Sequence, residues 1–122
     1  KEAKRWRKML GGGMRQSGML AAAGIYVLEN HIERLIEDHE NARQLGERLA
    51  GISKLRVDPI QTNMVFVDLS RFDGAAVSRT LEAKGIKIGG YTGGKKRLVT
   101  HLGISPKDIG YVVKSFEEAC AG

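Results

Sequence analysis

Near residue 50 the spacing of apolar side chains changes, and that change restricts the fold more than any other feature. Upstream, Ile32, Leu35, Ile36, Ala42, Leu45 and Leu49, with His39 among them, recur at intervals of three and four. That spacing lines one face of an α-helix, and Gly51 offers a natural stop. Downstream the interval becomes two. In TNMVFVDL (62–69) Val65, Val67 and Leu69 share one side and Met64 and Phe66 the other, as a half-buried strand requires. A chain carrying both periods has to pack helix against sheet.

The remaining elements fit that scheme. KLRV (54–57), IKIGG (86–90) and RLVTHL (97–102) read as shorter strands. Asp73 caps a helix that carries Ala76, Val77 and Leu81 to Gly85. Ser105-Pro106-Lys107-Asp108 combines an N-cap, a proline at the first helical turn and an acid at the third position. Ile109, Val112, Val113, Phe116 and Ala119 then form one stripe of a last helix. The expected fold is α+β, a two-layer sandwich with a small antiparallel sheet of three or four strands and helices on one face. A long N-terminal connecting helix precedes it, read from Arg15 to Glu29, with Asn30 as an interruption or N-cap. Residues 1–30 form the cationic glycine-rich loop and connecting helix, and residues 31–122 the small α+β domain. The connecting helix is apolar nearly all round, including Ala21, Ala22, Ala23 and Ile25, so it is expected to pack against protein outside this chain.

At 122 residues the chain is one small domain in size. It has no run approaching the roughly 20 apolar residues of a membrane span and no signal-peptide pattern, so a cytoplasmic protein without a membrane partner is expected. Cys120 is the only cysteine and reads as a small hydrophobe. The chain opens on Lys1, without an initiator methionine and within an apparent helix, which reads as a piece of a longer polypeptide. The net charge of +6 is concentrated at that end. Lys1, Lys4, Arg5, Arg7, Lys8 and Arg15 face Glu2 alone, and the rest of the chain is nearly neutral. A localised anion site is implied, not a basic coat.

Two segments carry candidate chemistry. In RKMLGGGMRQSG (7–18) three glycines precede a helix, where free backbone N–H groups and the helix dipole favour an anion. Lys8 and Arg15 add donors suited to phosphate. The segment fits neither the Walker pattern nor the dinucleotide fingerprint, and a flexible hinge is the alternative. In GGYTGGKKRLVTHL (89–102) a glycine loop around Tyr91 and Thr92 leads through Lys95 and Lys96 to Arg97. Arg97 lies closest to a rigid strand and shares a face with Val99 and His101; a solvated hairpin with a basic rim is the alternative reading. His31, His39 and His101 do not cluster with carboxylates at ligand spacing, so no metal site is expected. Glu37-Asp38 and Glu117-Glu118 read as solvated helix faces. Aromatic content of 6%, with Trp6 isolated, provides no base-stacking platform, so nucleic acid is not an expected partner.

Taken together, RWRKMLGGGMRQSGMLAAAGIYVLE, DHENARQLGERLAG, TNMVFVDL and RLVTHL resemble the C-terminal part of the low-specificity L-threonine aldolases. These are fold type I pyridoxal-phosphate enzymes, and the resemblance covers about residues 4 to 120. It implies the C-terminal small domain of an enzyme that cleaves L-threonine or L-allo-threonine to glycine and acetaldehyde, with pyridoxal 5'-phosphate as electron sink. It implies a homo-oligomer, usually a tetramer, with active sites at a subunit boundary. By motif, Lys8 and Arg15 would reach the cofactor phosphate, largely of a neighbouring subunit, and Arg97 would bind the substrate carboxylate. The family's Schiff-base lysine belongs to an upstream Ser-Lys-Gly segment, and no lysine here has that context. The histidine on the cofactor ring and the aspartate at its pyridine nitrogen are likewise expected upstream. No catalytic residue is therefore assigned within this chain, which alone should be inactive. GGYTGGKK is richer in glycine than the family leads one to expect, and a lost strand pairing there would alter substrate access. A free-standing anion- or nucleic-acid-binding module, or an interaction domain without a ligand, are the other readings of the same residues.

Overall fold

The computed structural model describes residues 1–90 and 92–121. The chain divides into two compact units, Lys1–Glu33 and Arg34–Gly122.

The first unit holds α1 (Glu2–Met9) and α2 (Gly18–Asn30). The helix expected from Arg15 begins later, because Arg15, Gln16 and Ser17 form a turn in which Gln16 takes a φ of 47°. Asn30 is the last residue of α2, not the cap of the next helix, and its Nδ2 donates to the Tyr26 carbonyl at 2.9 Å. No residue from Lys1 to Asn30 is buried. Met19 is 87% exposed, and Leu20, Ile25, Tyr26, Val27 and Leu28 are exposed with it.

The second unit runs α3 (Leu35–Ala50), β1 (Arg56–Val57), β2 (Met64–Asp68), α4 (Gly74–Ala83), β3 (Gly89–Gly90), β4 (Lys95–Val99) and α5 (Pro106–Ala121). The strands form one antiparallel sheet in the order β1-β2-β4-β3. Val65 and Val67 of β2 and Leu98 of β4 are buried against the helices, while Met64, Arg97 and Val99 on the alternate positions are exposed. This is the expected α+β arrangement, with helices on one face of a four-stranded antiparallel sheet.

The core is assembled from the predicted stripes. Ala42, Leu45 and Leu49 come from α3, Val77 and Leu81 from α4, and Ile109, Val113 and Phe116 from α5. Phe116 is fully buried, and truncating a side chain of that kind to alanine costs about 3–5 kcal/mol. Gly46 lies where α3 meets the segment after β1, and a Cβ there would overlap Ile60. The upstream part of the α3 stripe behaves differently: Ile32, Leu35, Ile36 and His39 are exposed. Helical periodicity marks a face and says nothing of how far along it a partner extends.

Local caps form as expected. The Asp73 carboxylate accepts from the N–H groups of Ala75 and Ala76, each at 3.0 Å. Ser105 N–H and Oγ donate to Asp108 Oδ2 at 2.8 and 2.6 Å, and Asp108 N–H returns to Ser105 Oγ. These bonds hold both carboxyls below their ordinary values: for Asp73 chiefly the Ala76 N–H, for Asp108 chiefly the Ser105 hydroxyl. Cys120 is partly buried and packs against the core. Burial pushes its thiol up, which keeps it protonated and inert. No helix among the described residues is long and apolar enough to cross a membrane.

Candidate functional site

Lys8 stands in the last turn of α1, where cations oppose the negative end of the helix dipole. Immediately beyond it the glycines close the helix. Gly11 takes a φ of +82°, its N–H donates to the Lys8 carbonyl at 3.2 Å, and the N–H of Gly12 donates to Arg7 O at 2.7 Å. That pair of bonds is a Schellman motif, and only a residue without a side chain takes the left-handed position easily. A Cβ on Gly12 would lie 2.8 Å from Arg7 O. The N–H of Gly13 donates to Gly11 O at 2.8 Å.

The sequence reading placed these amides, unengaged, at the mouth of the following helix. The structure gives them to the end of the preceding one, and four residues separate Gly13 from α2. Backbone amides of Gly11, Gly12 and Gly13 are therefore engaged within the turn. Those three amides are not free to meet an anion. Lys8 and Arg15 are both exposed, and neither has an acidic partner among the described residues.

Arg97 occupies the middle of β4, with its Cα paired to Phe66 of β2 and to Gly89 of β3. It lies on the sheet face that the helices leave uncovered, is exposed, and has no ion pair among the described residues. Lys95 and Lys96 belong to the same strand, not to the preceding loop where sequence reasoning put them. Their backbones pair with Asp68 and Val67, a long-range contact that local glycine content does not reveal. The three cations differ nonetheless. Lys95 Nζ is 2.6 Å from Asp58 Oδ2. Lys96 shares the parity of buried Leu98 and is half-buried. Arg97 alone of the three is exposed on the open face.

The glycine segment before β4 keeps its pairing: Gly89 and Gly90 align with Arg97 and Lys96, and Gly93 and Gly94 make a tight turn with φ of 69° and 81°. The expectation of a lost pairing here is corrected. Tyr91, central to the loop as read from sequence, lies outside the described residues.

His101, expected on the strand face of Arg97, lies beyond the end of β4 in a turn, where its Nδ1 accepts from the Gly103 N–H at 3.1 Å. His31 stacks edge-on to Tyr26 in the first unit and His39 is exposed on α3. Among the described residues no three metal-ligating side chains gather.

Sequence reasoning missed a polar cluster beneath the open face. Asp38, read as part of a solvated acidic pair, is 5% exposed and held bidentately by Arg34 at 2.6 and 3.2 Å. Its backbone carbonyl accepts from Thr100 Oγ1 at 2.6 Å. Glu118 is likewise paired, with Lys84. The four-residue spacing of Arg34 and Asp38 was the available signal. Nothing local pointed to Thr100.

Two surface grooves of the second unit, one of about 460 Å³ beside Glu37 and Glu40 and one of about 360 Å³ beside Leu98 and Thr100, include none of Lys8, Arg15 and Arg97 in their walls.

A family model described as beta-eliminating lyase matches residues 1–71. The low specificity L-threonine aldolase of Escherichia coli (strain K12) is 47% identical over 114 residues, which cover 92% of this chain and 33% of that protein. A probable low-specificity L-threonine aldolase 2 of Arabidopsis thaliana is 38% identical over 120 residues, 93% of this chain and 34% of that one. The chain thus spans about a third of the length of the curated relatives it matches. Among solved structures, the adenosylmethionine-8-amino-7-oxononanoate aminotransferase from Methanocaldococcus jannaschii superposes with a TM-score of 0.64 at 23% identity, over 84% of this chain and 26% of that one. A decarboxylase from Sulfurospirillum multivorans superposes with a TM-score of 0.57 at 21% identity, over 66% and 24%. At those identities the likeness is one of fold.

Proposed function

The chain belongs to the beta-eliminating lyase family, and from that premise we propose that it is the C-terminal part of a pyridoxal-phosphate-dependent aldolase. The reaction is retro-aldol cleavage of L-threonine or L-allo-threonine to glycine and acetaldehyde. The observation that carries the reading is Arg97: in a chain so similar to threonine aldolases, it is an exposed, unpaired guanidinium on the open face of a sheet. A guanidinium presents a planar pair of donors matched to a carboxylate. The β4 backbone, paired on both sides at Arg97, fixes where that pair points.

Lys8 and Arg15 fit the phosphate of the cofactor as charges, since both are exposed and unpaired while the glycine amides beside them are engaged. When bound, pyridoxal phosphate supplies the electron sink that breaking a Cα–Cβ bond requires. The contribution of this chain is positional. Arg97 holds the α-carboxylate and so sets which bond at Cα stands in the reactive orientation, and Lys8 and Arg15 retain the cofactor by charge. The lysine that bonds the cofactor lies in the remainder of the enzyme, and the chain alone is inactive. The complete enzyme is a homo-oligomer, a tetramer in our reading, and the exposed apolar surface of α2 supports burial of that helix in the assembly.

The test is release of acetaldehyde from L-threonine, read by a coupled dehydrogenase, with this chain joined to its upstream sequence. Cofactor-dependent release supports the proposal. A folded, cofactor-loaded protein that releases none contradicts it.

A further inference from the structure

We propose that Thr100, together with Asn63, is a positioning residue that sets the place of Arg97 along β4. The inference rests on the reading of Arg97 as the carboxylate anchor.

β3, which pairs with β4 at Arg97, is only two residues long. The opposite neighbour, β2, pairs with β4 only as far as Val99 by strand register. What fixes the end of β4 is the residue after it. Thr100 is 1% exposed. Its N–H donates to the Asn63 carbonyl at 2.9 Å, and its own carbonyl accepts from Asn63 Nδ2 at 2.7 Å. Its hydroxyl donates to the Asp38 carbonyl at 2.6 Å, in the first turn of α3. Thr100 therefore ties β4 both to the residue that leads into β2 and to a helix on the covered face. Asp38 is itself held by Arg34, so the tie ends on a braced turn.

Strand alternation puts Thr100 and Arg97 on opposite faces. Thr100 is aimed at α3 and cannot itself meet a ligand bound on the open face. The coupling runs through the backbone, from Thr100 just past the end of β4 back three residues to Arg97. A hydroxyl is needed for it: valine would fill the same space without the donor, and serine would keep the donor.

The experiment is a double-substitution cycle in the complete, cofactor-loaded enzyme, with KM and kcat for L-threonine measured on Thr100→Val, Thr100→Ser, Arg97→Lys and Thr100→Val with Arg97→Lys. Thr100→Val is expected to raise KM about three- to tenfold, with a smaller fall in kcat, while Thr100→Ser stays within about twofold of the parent. In the Arg97→Lys background the KM effect of Thr100→Val is expected to vanish, because the group it positions has gone. Asn63→Ala, which removes the other tie at the strand end, from Asn63 Nδ2 to the Thr100 carbonyl, is expected to give a KM rise of the same kind and serves if Thr100→Val does not fold. Two outcomes overturn the inference while sparing the role of Arg97: a Thr100→Val enzyme with parental KM, or a Thr100→Val effect that persists unchanged beside Arg97→Lys. A normal KM for Arg97→Lys itself overturns the carboxylate reading, and this inference with it.

Discussion

Gly89 stands directly across from Arg97 in the β3–β4 pair, and a Cβ built on Gly89 would lie 4.0 Å from Arg97 Nε and 3.9 Å from its Cβ. The guanidinium stem lies beside a position that carries no side chain. Alanine at 89 fits at ordinary contact distance, whereas a branched side chain has to occupy the space beside the guanidinium. In the complete enzyme Gly89→Ala is expected to leave kinetics near normal. Gly89→Leu is expected to raise KM for threonine roughly tenfold by displacing Arg97, the proposed carboxylate anchor, with the thermal midpoint little changed because the position is exposed. Steady-state kinetics and thermal denaturation on the two variants check this.

The glycine triplet makes an ordered prediction. Gly11 sits at a left-handed φ and Gly12 is pressed against Arg7 O, whereas a Cβ on Gly13 would meet only Lys8 Nζ, at 3.8 Å. Gly11→Ala therefore costs about 1–2 kcal/mol of local backbone strain, and Gly12→Ala forces the turn apart. Both are expected to fray α1, raise amide exchange at Gly12 or its replacement, and loosen cofactor retention through Lys8. Gly13→Ala is expected to do neither. Hydrogen exchange and dialysis of the loaded enzyme read the two effects.

Acid sensitivity follows from the helix caps. Asp73 and Asp108 are held below their ordinary value of 3.8 by the bonds they accept. A carboxyl whose pKa is lower folded than unfolded stabilises fully above the unfolded value, and that stabilisation is lost as pH falls through the folded one. Denaturation midpoints for the second unit are therefore expected to hold from pH 7 down to about 4 and to fall below it. In Asp73→Asn with Asp108→Asn, which keep an acceptor but do not titrate, that acid limb is expected to flatten in part, the remainder belonging to Glu40, Asp68 and Glu118, which are held low as well. Urea titrations across the range provide the measurement.

The exposed apolar side of α2 predicts assembly. Leu20 and Leu28 are 63% and 67% exposed, and a contiguous apolar surface of this kind promotes association. Leu20→Glu with Leu28→Glu is expected to reduce the assembly state of the complete enzyme in sedimentation velocity. An unchanged sedimentation coefficient would remove α2 from the interface.

What was legible in the sequence is what neighbouring residues decide among themselves. The alternation of Val65, Val67 and Leu69 imposes its own face, and all three are buried. Ser105 and Asp108 meet because they are three apart at a helix start. The aldolase likeness was also legible, because its motifs follow one another in order along the chain. The errors lie where a distant segment decides. Lys95 and Lys96 join β4 because Asp68 and Val67 lie opposite, which no local pattern reports. The glycines at 11–13 were assigned to the helix after them, since an anion-binding mouth and a helix stop use the same residue type. Asp38 is buried by Arg34 and packing around α3, although its neighbours Glu37 and His39 are exposed. The candidate site residues were proposed from resemblance to a motif; Thr100, whose tie to Asp38 spans 62 positions, had no such signal.

The most direct measurement is a pair of kinetic profiles for L-threonine in the complete enzyme, Arg97→Lys against Lys96→Ala. Both residues are unpaired cations on one strand among the described residues, and they differ in face and exposure. Lysine at 97 keeps the charge but loses the paired donors, so kcat/KM is expected to fall roughly 10- to 100-fold, through KM and kcat together. Lys96→Ala is expected to stay near the parent, with no more than a salt-sensitive change. A near-normal Arg97→Lys beside a crippled Lys96→Ala would contradict the assignment of Arg97 as the carboxylate anchor.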